Sequence, residues 1–261
     1  MKKLTTIFCV MFFVALSFTT NAQTAAEFIS QGDQLAMKEF KNQEALNKYL
    51  EADKLSPNNW EIMWRISRAY VDISEHLPSG TSAQKDEQLR LYQLAFDYAN
   101  KAVSLAPDKS ITYLRRAIAN GRIALFKGVF SVIGIVGDVK NDCEKAISLG
   151  NGGNEIQASA HYVLGRTHAK VCEKPYLVRL PLGLGWGDMD VAITEFNKAI
   201  KLRPNFRMFR LDLAKAYIEE DEYAKAREQL NAIPGLPVLD EDDYSIANEA
   251  KQLLEQIKNK K

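Results

Sequence analysis

Residues 187–206 read GDMDVAITEFNKAIKLRPNF, and the order of small and large residues in this stretch predicts the architecture of the chain. Ala192 and Ala199 are seven residues apart, close to two turns of an α-helix, so both lie on one narrow stripe. Small side chains there let a second helix approach closely, and Pro204 marks the end of the helix. The same spacing recurs at Ala45–Ala52–Pro57 and Ala95–Ala102–Pro107. Such a repeat predicts stacked helical hairpins, a solenoid of the kind that commonly binds partners.

The first 22 residues have the pattern of a secretory signal peptide. Lys2 and Lys3 form a positive start, residues 7–18 are mostly apolar, and Thr20–Ala22 is a small-residue cleavage site. Because the apolar run is shorter than the ~20 residues of a membrane-spanning helix, we expect cleavage near Ala22 and export to the periplasm or the medium. An uncleaved N-terminal anchor is the alternative.

The charge balance argues against a nucleic-acid partner. The chain has 34 Lys and Arg residues against 33 Asp and Glu, and without Lys2 and Lys3 the count becomes 32 against 33, a net charge of −1. Proteins that bind nucleic acid usually present a strongly basic face. We therefore expect no nucleic-acid binding.

Residues 23–261 read as a single all-α domain, because no segment keeps the period-two alternation of a strand. Turn residues and apolar periodicity predict a right-handed superhelical solenoid of five hairpins with a C-terminal capping helix. The predicted bounds are about 25–55, 60–105, 110–149, 155–202 and 205–232 for the hairpins and 243–259 for the cap. Residues 76–85 and Val132–Val136 are predicted to be irregular, because proline or glycine interrupts them.

The repeat resembles the tetratricopeptide repeat (TPR). The signature of its second helix is matched by six residues: Gly187, Met189, Ala192, Phe196, Ala199 and Pro204. The first helix is matched by a large apolar residue, a small residue and a ring three positions later, at Leu164-Gly165 with His168, Ile66-Ser67 with Tyr70 and Leu213-Ala214 with Tyr217. The resemblance implies TPR-like hairpins with a concave groove.

Longer stretches resemble the regulator of microtubule dynamics family. They are Leu125–Gly128 within residues 117–146, His161–Arg166 and Pro204–Phe206. In eukaryotes this family comprises membrane-anchored TPR adaptors, so the resemblance implies an adaptor. The predicted export would keep the chain away from cytosolic filaments, and we therefore expect no microtubule binding.

The sequence contains no recognisable catalytic or metal-binding constellation. His161 and His168 are seven residues apart, too far along one helix to share a metal ion, and His168 with Cys172 lacks a third ligand. The glycines at 183, 185 and 187 lack the preceding strand of a dinucleotide-binding loop. We therefore expect a non-enzymatic protein without a cofactor or a metal ion.

The TPR resemblance places specified first-helix residues in the concave groove. One level of the groove is predicted to hold four large side chains, which are Trp64, Leu114, Tyr162 and Leu211. The next level, one helical turn further on, is predicted to hold mainly cations, and its residues are Arg68, Ile118, Arg166 and Lys215. Apolar surface beside cations suits an anionic group on an apolar body. The leading hypothesis is a scaffold that binds a protein or peptide segment, and the alternative is a carrier of a lipid or amphiphile. A further alternative is that the terminal helix or an insert covers this surface.

Two inserts interrupt the repeats, at residues 126–136 and 176–186. Both are rich in apolar residues, so either could contact a membrane surface peripherally or cover the groove. Packing against their own hairpins is the simpler expectation.

Overall fold

The computed structural model describes residues 23–128 and 131–261, and those residues form helices and no strand. In chain order the α-helices are α1 (Ala25–Met37), α2 (Asn42–Leu55), α3 (Trp60–Glu75), α4 (Ser82–Leu105), α5 (Ser110–Lys127), α6 (Ile133–Leu149), α7 (Gly153–Cys172), α8 (Tyr176–Arg179), α9 (Met189–Leu202), α10 (Arg207–Glu219), α11 (Tyr223–Ala232) and α12 (Asp243–Ile257). Five hairpins pair α1 with α2, α3 with α4, α5 with α6, α7 with α9, and α10 with α11. They stack as a TPR-like solenoid, which confirms the predicted fold class.

The repeated alanines lie where the two helices of a hairpin are closest. All six alanines of the three motifs are 0% exposed. In the fourth hairpin the close approach also requires Gly165: a β-carbon there would lie 3.0 Å from the carbonyl oxygen of Ala192 and 3.1 Å from the ring of Phe196. The small residues therefore set the helix separation, as the sequence predicts.

The three prolines end their helices in the same way. In each repeat the last helical hydrogen bond is donated by the residue before the proline to the second alanine of the motif, at 2.9 Å in every case: Ser56 to Ala52, Ala106 to Ala102 and Arg203 to Ala199. That residue has left the helical conformation, with ψ between 70° and 77°, because the proline ring disfavours an α conformation before it.

Two predicted loops are shorter than expected. α4 begins at Ser82 rather than near residue 87, because Thr81 and Gln84 form a capping box that stabilises the extra turn. The prediction that Val132–Val136 is irregular is wrong for most of that stretch. α6 begins at Ile133, and burial of Val136 beside Val171 and Leu184 stabilises its first turns. Residues 129 and 130 of the first insert lie outside the described residues.

The second insert packs against its own hairpin only over residues 182–186, whereas Tyr176, Val178 and Leu180 are exposed. It forms α8 and a 3-10 turn at Leu180–Leu182; Leu184 is buried with Val171, and Trp186 meets the ring of His168 edge-on at 5.1 Å. Leu177 is 82% exposed at its outer edge. Membrane contact through this edge stays a prediction.

The C-terminal helix covers the last hairpin. α12 contacts α10 and α11, and Ile246, Ala250 and Ile257 are buried there, whereas Tyr244, expected on the apolar side, is mostly exposed. Before α12 begins, residues 236–242 run back along the concave side of the solenoid and reach α2 and α3.

The predicted signal peptide, residues 1–22, lies outside the described residues. Within the described ranges, none of the helices combines the length and the apolar character that crossing a bilayer requires.

Candidate functional site

A cavity of about 220 Å³ lies on the concave side of the solenoid. The first helices α3, α5 and α7 form its floor, and residues around the start of α10 close one end. Its apolar wall is built from side chains of several helices and the α10 entry, among them Val71, Ile118, Val136, Val163, Phe206 and Phe209. The cavity is therefore built from the helices that the sequence assigns to the groove.

Three of the predicted groove residues lie together in this cavity: Ile118, Tyr162 and Arg166. Tyr162 donates a 2.7 Å hydrogen bond to Asp212 in α10, and an Arg166 Nη1–H donates to the Tyr162 hydroxyl oxygen at 3.3 Å. Burial raises the pKa of Tyr162, and the pKa of Arg166 is raised by Tyr162 and then by Asp212. The polar groups of Tyr162, Arg166 and Asp212 thus bind one another, and they leave no unpaired charge here for a ligand.

Three other predicted residues do not reach the cavity. Leu114 and Leu211 are 1% and 3% exposed and belong to the core between hairpins. Lys215 pairs with Asp212 at 3.4 Å and with Glu249 of α12 at 2.8 Å. The TPR resemblance assigns these two leucines to the groove, but in the structure their side chains pack in the core between neighbouring hairpins.

The remaining two predicted residues, Trp64 and Arg68, lie on α3 and do not line the cavity. Arg68 pairs with Asp72 in the same helix at 3.1 Å. Two guanidinium groups lie near the Trp64 ring, that of Arg65 at 4.2 Å and that of Arg115 at 5.5 Å from its centre. Arg65 is held by Asp33, so its charge is compensated.

Arg115, which the sequence analysis did not single out, is the unusual charge of this site. It lines the cavity, its buried Nε has no hydrogen-bond partner, and among the described residues no carboxylate oxygen lies within 4.0 Å of its side-chain nitrogens. Burial, together with the nearby charge of Arg68, lowers the pKa of Arg115 to about 10. The charges of Asp72 and Glu155 offset this lowering only in part. Because the guanidinium forms no ion pair among the described residues, an anion that enters the cavity would stabilise it.

The sequence position of Arg115 is a local signal that it lies near the groove. It directly follows Leu114, which the TPR resemblance assigns to the groove, and one residue rotates a helical position by about 100°. In the structure Arg115 lines the cavity, whereas Leu114, which was expected there, is buried in the core.

Another part of the cavity wall is acidic and comes from the C-terminal part of the chain. Asp240, Glu241 and Asp242 line it, and Glu241 accepts a 2.9 Å hydrogen bond from the side-chain amide of Asn42. Nearby, Glu75 of α3 pairs with Arg122 of α5. Part of the predicted groove is thus covered by the chain itself, although by the segment before the terminal helix.

No metal-binding cluster is present in this region or elsewhere in residues 23–128 and 131–261. No group of three or more His, Cys, Asp or Glu side chains there is arranged to hold a metal ion. His168 is buried against Trp186, so burial lowers its pKa, and both Cys143 and Cys172 are free.

Comparison with known proteins places the chain in a family. The family model described as "Regulator of microtubule dynamics protein 1-3" matches residues 28–258. The mouse Regulator of microtubule dynamics protein 1 is 27% identical over 200 residues, which are 74% of this chain and 63% of the mouse protein. The mouse Regulator of microtubule dynamics protein 2 is 22% identical over 236 residues, 88% of this chain and 55% of that protein. The chain thus spans somewhat more than half the length of these relatives.

A solved structure supports the fold independently. The crystal structure of a thermophilic TPR protein from Thermus thermophilus superposes with a TM-score of 0.64 at 16% identity, covering 88% of this chain and 100% of that one. At this identity the likeness concerns the fold alone.

The comparisons contradict the predicted localisation. Export to the periplasm or the medium was expected from residues 1–22, but the curated relatives are mouse and bovine proteins whose names refer to microtubules, which are filaments of the cell interior. The prediction of an exported protein is therefore wrong, and the reason given for excluding a microtubule-related role no longer holds.

Proposed function

The chain belongs to the regulator of microtubule dynamics family, and from this membership and its TPR-like fold we propose that it is a non-enzymatic scaffold that holds a segment of a partner protein in its concave groove. The observation that supports the groove as the site is Arg115, a cation in the cavity wall without a carboxylate partner in the described part of the chain.

Arg115 and the apolar side chains near it favour a partner segment in which an acidic residue adjoins an apolar one. A guanidinium group binds a carboxylate through two parallel hydrogen bonds, and such charge-assisted pairs are stronger than neutral ones. Ile118 and Val163 offer apolar surface beside Arg115. A carboxylate of the partner would therefore pair with Arg115 while an adjacent apolar side chain packs against this surface.

The names of the relatives suggest one defined candidate partner. They refer to microtubule dynamics, so polymerised tubulin belongs in the binding test. Because the chain spans 63% and 55% of the two mouse relatives, their activity is carried to this chain only as a proposal.

The test is affinity capture with the full chain and two charge-reversed variants. Arg115→Glu removes the proposed anchor, and Lys145→Glu is the matched control, since Lys145 is exposed on α6 and does not line the cavity. Loss of one charge-assisted pair is expected to lower retention of the specific partner about tenfold. Captured proteins are identified by mass spectrometry, polymerised tubulin is tested by co-sedimentation, and circular dichroism checks the fold.

Arg115 is a better choice than the two arginines predicted from the sequence. Arg68 pairs with Asp72, and Arg166 contacts Tyr162 and Asp212, so reversing either charge also breaks contacts within the protein. Equal capture by the wild type and Arg115→Glu would contradict the proposal. A lipid mass retained in native mass spectrometry, without a protein partner, would favour the alternative of a lipid carrier.

A further inference from the structure

The short helix α8 of the second insert presents large apolar side chains to solvent. Four of the twelve such side chains that are exposed in the described part of the chain lie within residues 176–180, which we call the apolar edge: Tyr176, Leu177, Val178 and Leu180. Each of them is between 49% and 82% exposed, and neither α8 nor the 3-10 turn after it contains a buried residue. Isolated exposed apolar side chains are ordinary, whereas a contiguous group of them marks an interaction surface.

The base of the apolar edge is anchored to the hairpin. An Arg179 Nη1–H donates a hydrogen bond to the carbonyl oxygen of Gly187, and the backbone amide of Leu184 donates to the carbonyl oxygen of Arg179 at 3.0 Å. Leu184 and Trp186 in turn belong to the apolar cluster around Val171 of α7. Because the base is fixed by buried contacts, the exposure of the edge is a property of the fold.

The charges beside the apolar edge are mainly positive. Lys174 is exposed just before α8, and Arg179 lies within the edge itself. Over the ranges that the structure describes, no carboxylate oxygen lies within 4.0 Å of the side-chain nitrogens of either residue, and Glu173 is already paired with Lys170. Residues 170–182 thus hold three cations and one anion, although the whole chain has nearly equal numbers of both.

The size and the charge of the apolar edge fit a lipid bilayer with anionic headgroups. A stable protein–protein interface takes about 800 Å² and roughly 20–30 residues from each partner, many more than this edge offers. A bilayer needs less, because apolar side chains enter the boundary between headgroups and acyl chains while adjacent cations attract the phosphates. Tyrosine suits that boundary, since its ring is apolar and its hydroxyl is polar. A second copy of this chain would instead bring the same cations face to face.

We propose that the apolar edge is a peripheral membrane-contact site: Leu177 and Val178 enter the surface of an anionic bilayer, and Lys174 and Arg179 are attracted by its phosphate groups. The edge lies on the second insert, and none of its residues lines the cavity that contains Arg115. The inference therefore goes beyond the proposed function and does not depend on it. A protein bound in this way keeps its concave groove available to a partner.

A fluorescent probe at residue 177 tests whether the edge enters a bilayer. The full chain with Cys9→Ser and Cys172→Ser keeps only Cys143, which is fully buried. Leu177→Cys in this background is labelled with the environment-sensitive dye nitrobenzoxadiazole, and Leu55→Cys, at an exposed leucine that ends α2, is the matched reporter. Each is mixed with vesicles of phosphatidylcholine containing about 30% phosphatidylserine, and with vesicles of phosphatidylcholine alone. A probe at one residue separates this contact from any made by the apolar residues 7–18.

In the anionic vesicles, lipids that carry a nitroxide on the acyl chain should quench the probe at residue 177 and not the probe at residue 55. The lipid concentration for half-maximal quenching at residue 177 measures the contact. Val178→Ser should raise that concentration about tenfold, because less apolar surface leaves water. Lys174→Ala should raise it about fivefold, the effect of one cation near an anionic surface. Leu55→Ser is the matched control and should leave it unchanged.

Three outcomes would overturn the membrane-contact site. The first is no quenching at residue 177 in the anionic vesicles, and the second is equal quenching at residues 55 and 177. The third is a dimer in light scattering that Leu177→Ser dissociates, because the edge would then be an interface between two copies. Circular dichroism checks the fold of each variant, and Lys174→Ala changes only an exposed side chain, so the test stays decisive if Val178→Ser unfolds the insert.

Discussion

Arg115 and Arg116 are adjacent in α5 but lie on different sides of the helix, and only Arg116 forms an ion pair among the described residues. Arg116 faces the second helices α4 and α6, where Asp142 binds its guanidinium at 2.7 and 2.8 Å and Asn100 accepts a third hydrogen bond at 3.0 Å. Arg115 faces the groove and has no carboxylate partner among the described residues. Arg116 therefore stabilises the packing of α5 against α4 and α6, whereas Arg115 differs both from it and from the paired groove arginines Arg68, Arg122 and Arg166 in forming no ion pair among the described residues.

The largest expected effect comes from Arg116→Met. It leaves Asp142, which is almost fully buried, without its partner, and an uncompensated carboxylate of this kind destabilises a protein strongly. Because Arg116 is partly exposed, we expect a loss of about 2–3 kcal/mol in the free energy of unfolding, below the cost of a fully buried pair. Urea unfolding followed by circular dichroism measures it.

Arg115→Met is the matched control for that measurement. It removes a cation that has no ion-pair partner in the described chain, so the free energy of unfolding should change by less than about 0.5 kcal/mol. A loss at Arg115 equal to that at Arg116 would break the comparison, because it would make both arginines structural.

Two glycines allow the hairpin interface to be compared with the groove side of α5, with a smaller expected change in stability. Gly165→Ala places a methyl group 3.0 Å from the Ala192 carbonyl oxygen, so the packed hairpin should lose about 1–2 kcal/mol of stability by overpacking. Gly121 lies in α5 on the groove side, where a β-carbon would meet nothing within 4 Å. Gly121→Ala should therefore gain about 0.5–1 kcal/mol from helix propensity.

Thermal unfolding of the two glycine variants checks the signs. The melting temperature should fall for Gly165→Ala and rise for Gly121→Ala. A fall of similar size in both would mean that the groove side of α5 is packed as tightly as the hairpin interface.

The smallest expected effect is the pH dependence of the contacts that His76 makes with Glu241 and Asp242. His76 Nδ1–H donates to the Asp72 carbonyl oxygen at 2.7 Å, so Nε2 must also be protonated to attract Glu241 and Asp242. Although burial alone would lower it, these contacts raise the pKa of His76 above the ordinary 6.5. Because the folded pKa is raised, the stabilisation is fully present below pH 6.5 and is lost as the pH rises through the folded pKa.

An NMR titration distinguishes this histidine from a buried one. His76 should titrate above 6.5, and Asp242→Asn should lower its pKa, whereas His168, whose pKa burial lowers, should titrate below 6.5. The contribution to the free energy of unfolding stays under about 1 kcal/mol, because the imidazole is half-exposed. A His76 pKa at or below 6.5 would contradict the contacts of His76 with Glu241 and Asp242.

Much of the fold could be predicted from local patterns. The alanine–proline motif predicted the hairpin interfaces and helix ends, since close packing and proline geometry act within a few residues. The start of α6 was missed, because Val132–Val136 contains glycine and only burial of Val136 against α7 and the second insert makes that stretch helical. The capping box at Thr81 is a local pattern from which the start of α4 could have been predicted.

The role of the predicted groove residues stays a prediction, but the structure shows which of them lie together. Counting along the first helices found Ile118, Tyr162 and Arg166, which the structure brings together. The same count placed Leu114 in the groove and missed Arg115, because the rotation of α5 depends on how several helices pack around it. No local pattern connects residue 241 with residue 42.

The sequence by itself determined that this chain forms stacked hairpins, because helix periodicity, small residues and proline act over short distances along the chain. The tertiary structure alone decided which side of each first helix faces the groove and where residues 236–242 lie. Helix rotation and contacts between residues 199 positions apart result from the packing of the whole solenoid, so they cannot be read from any single repeat.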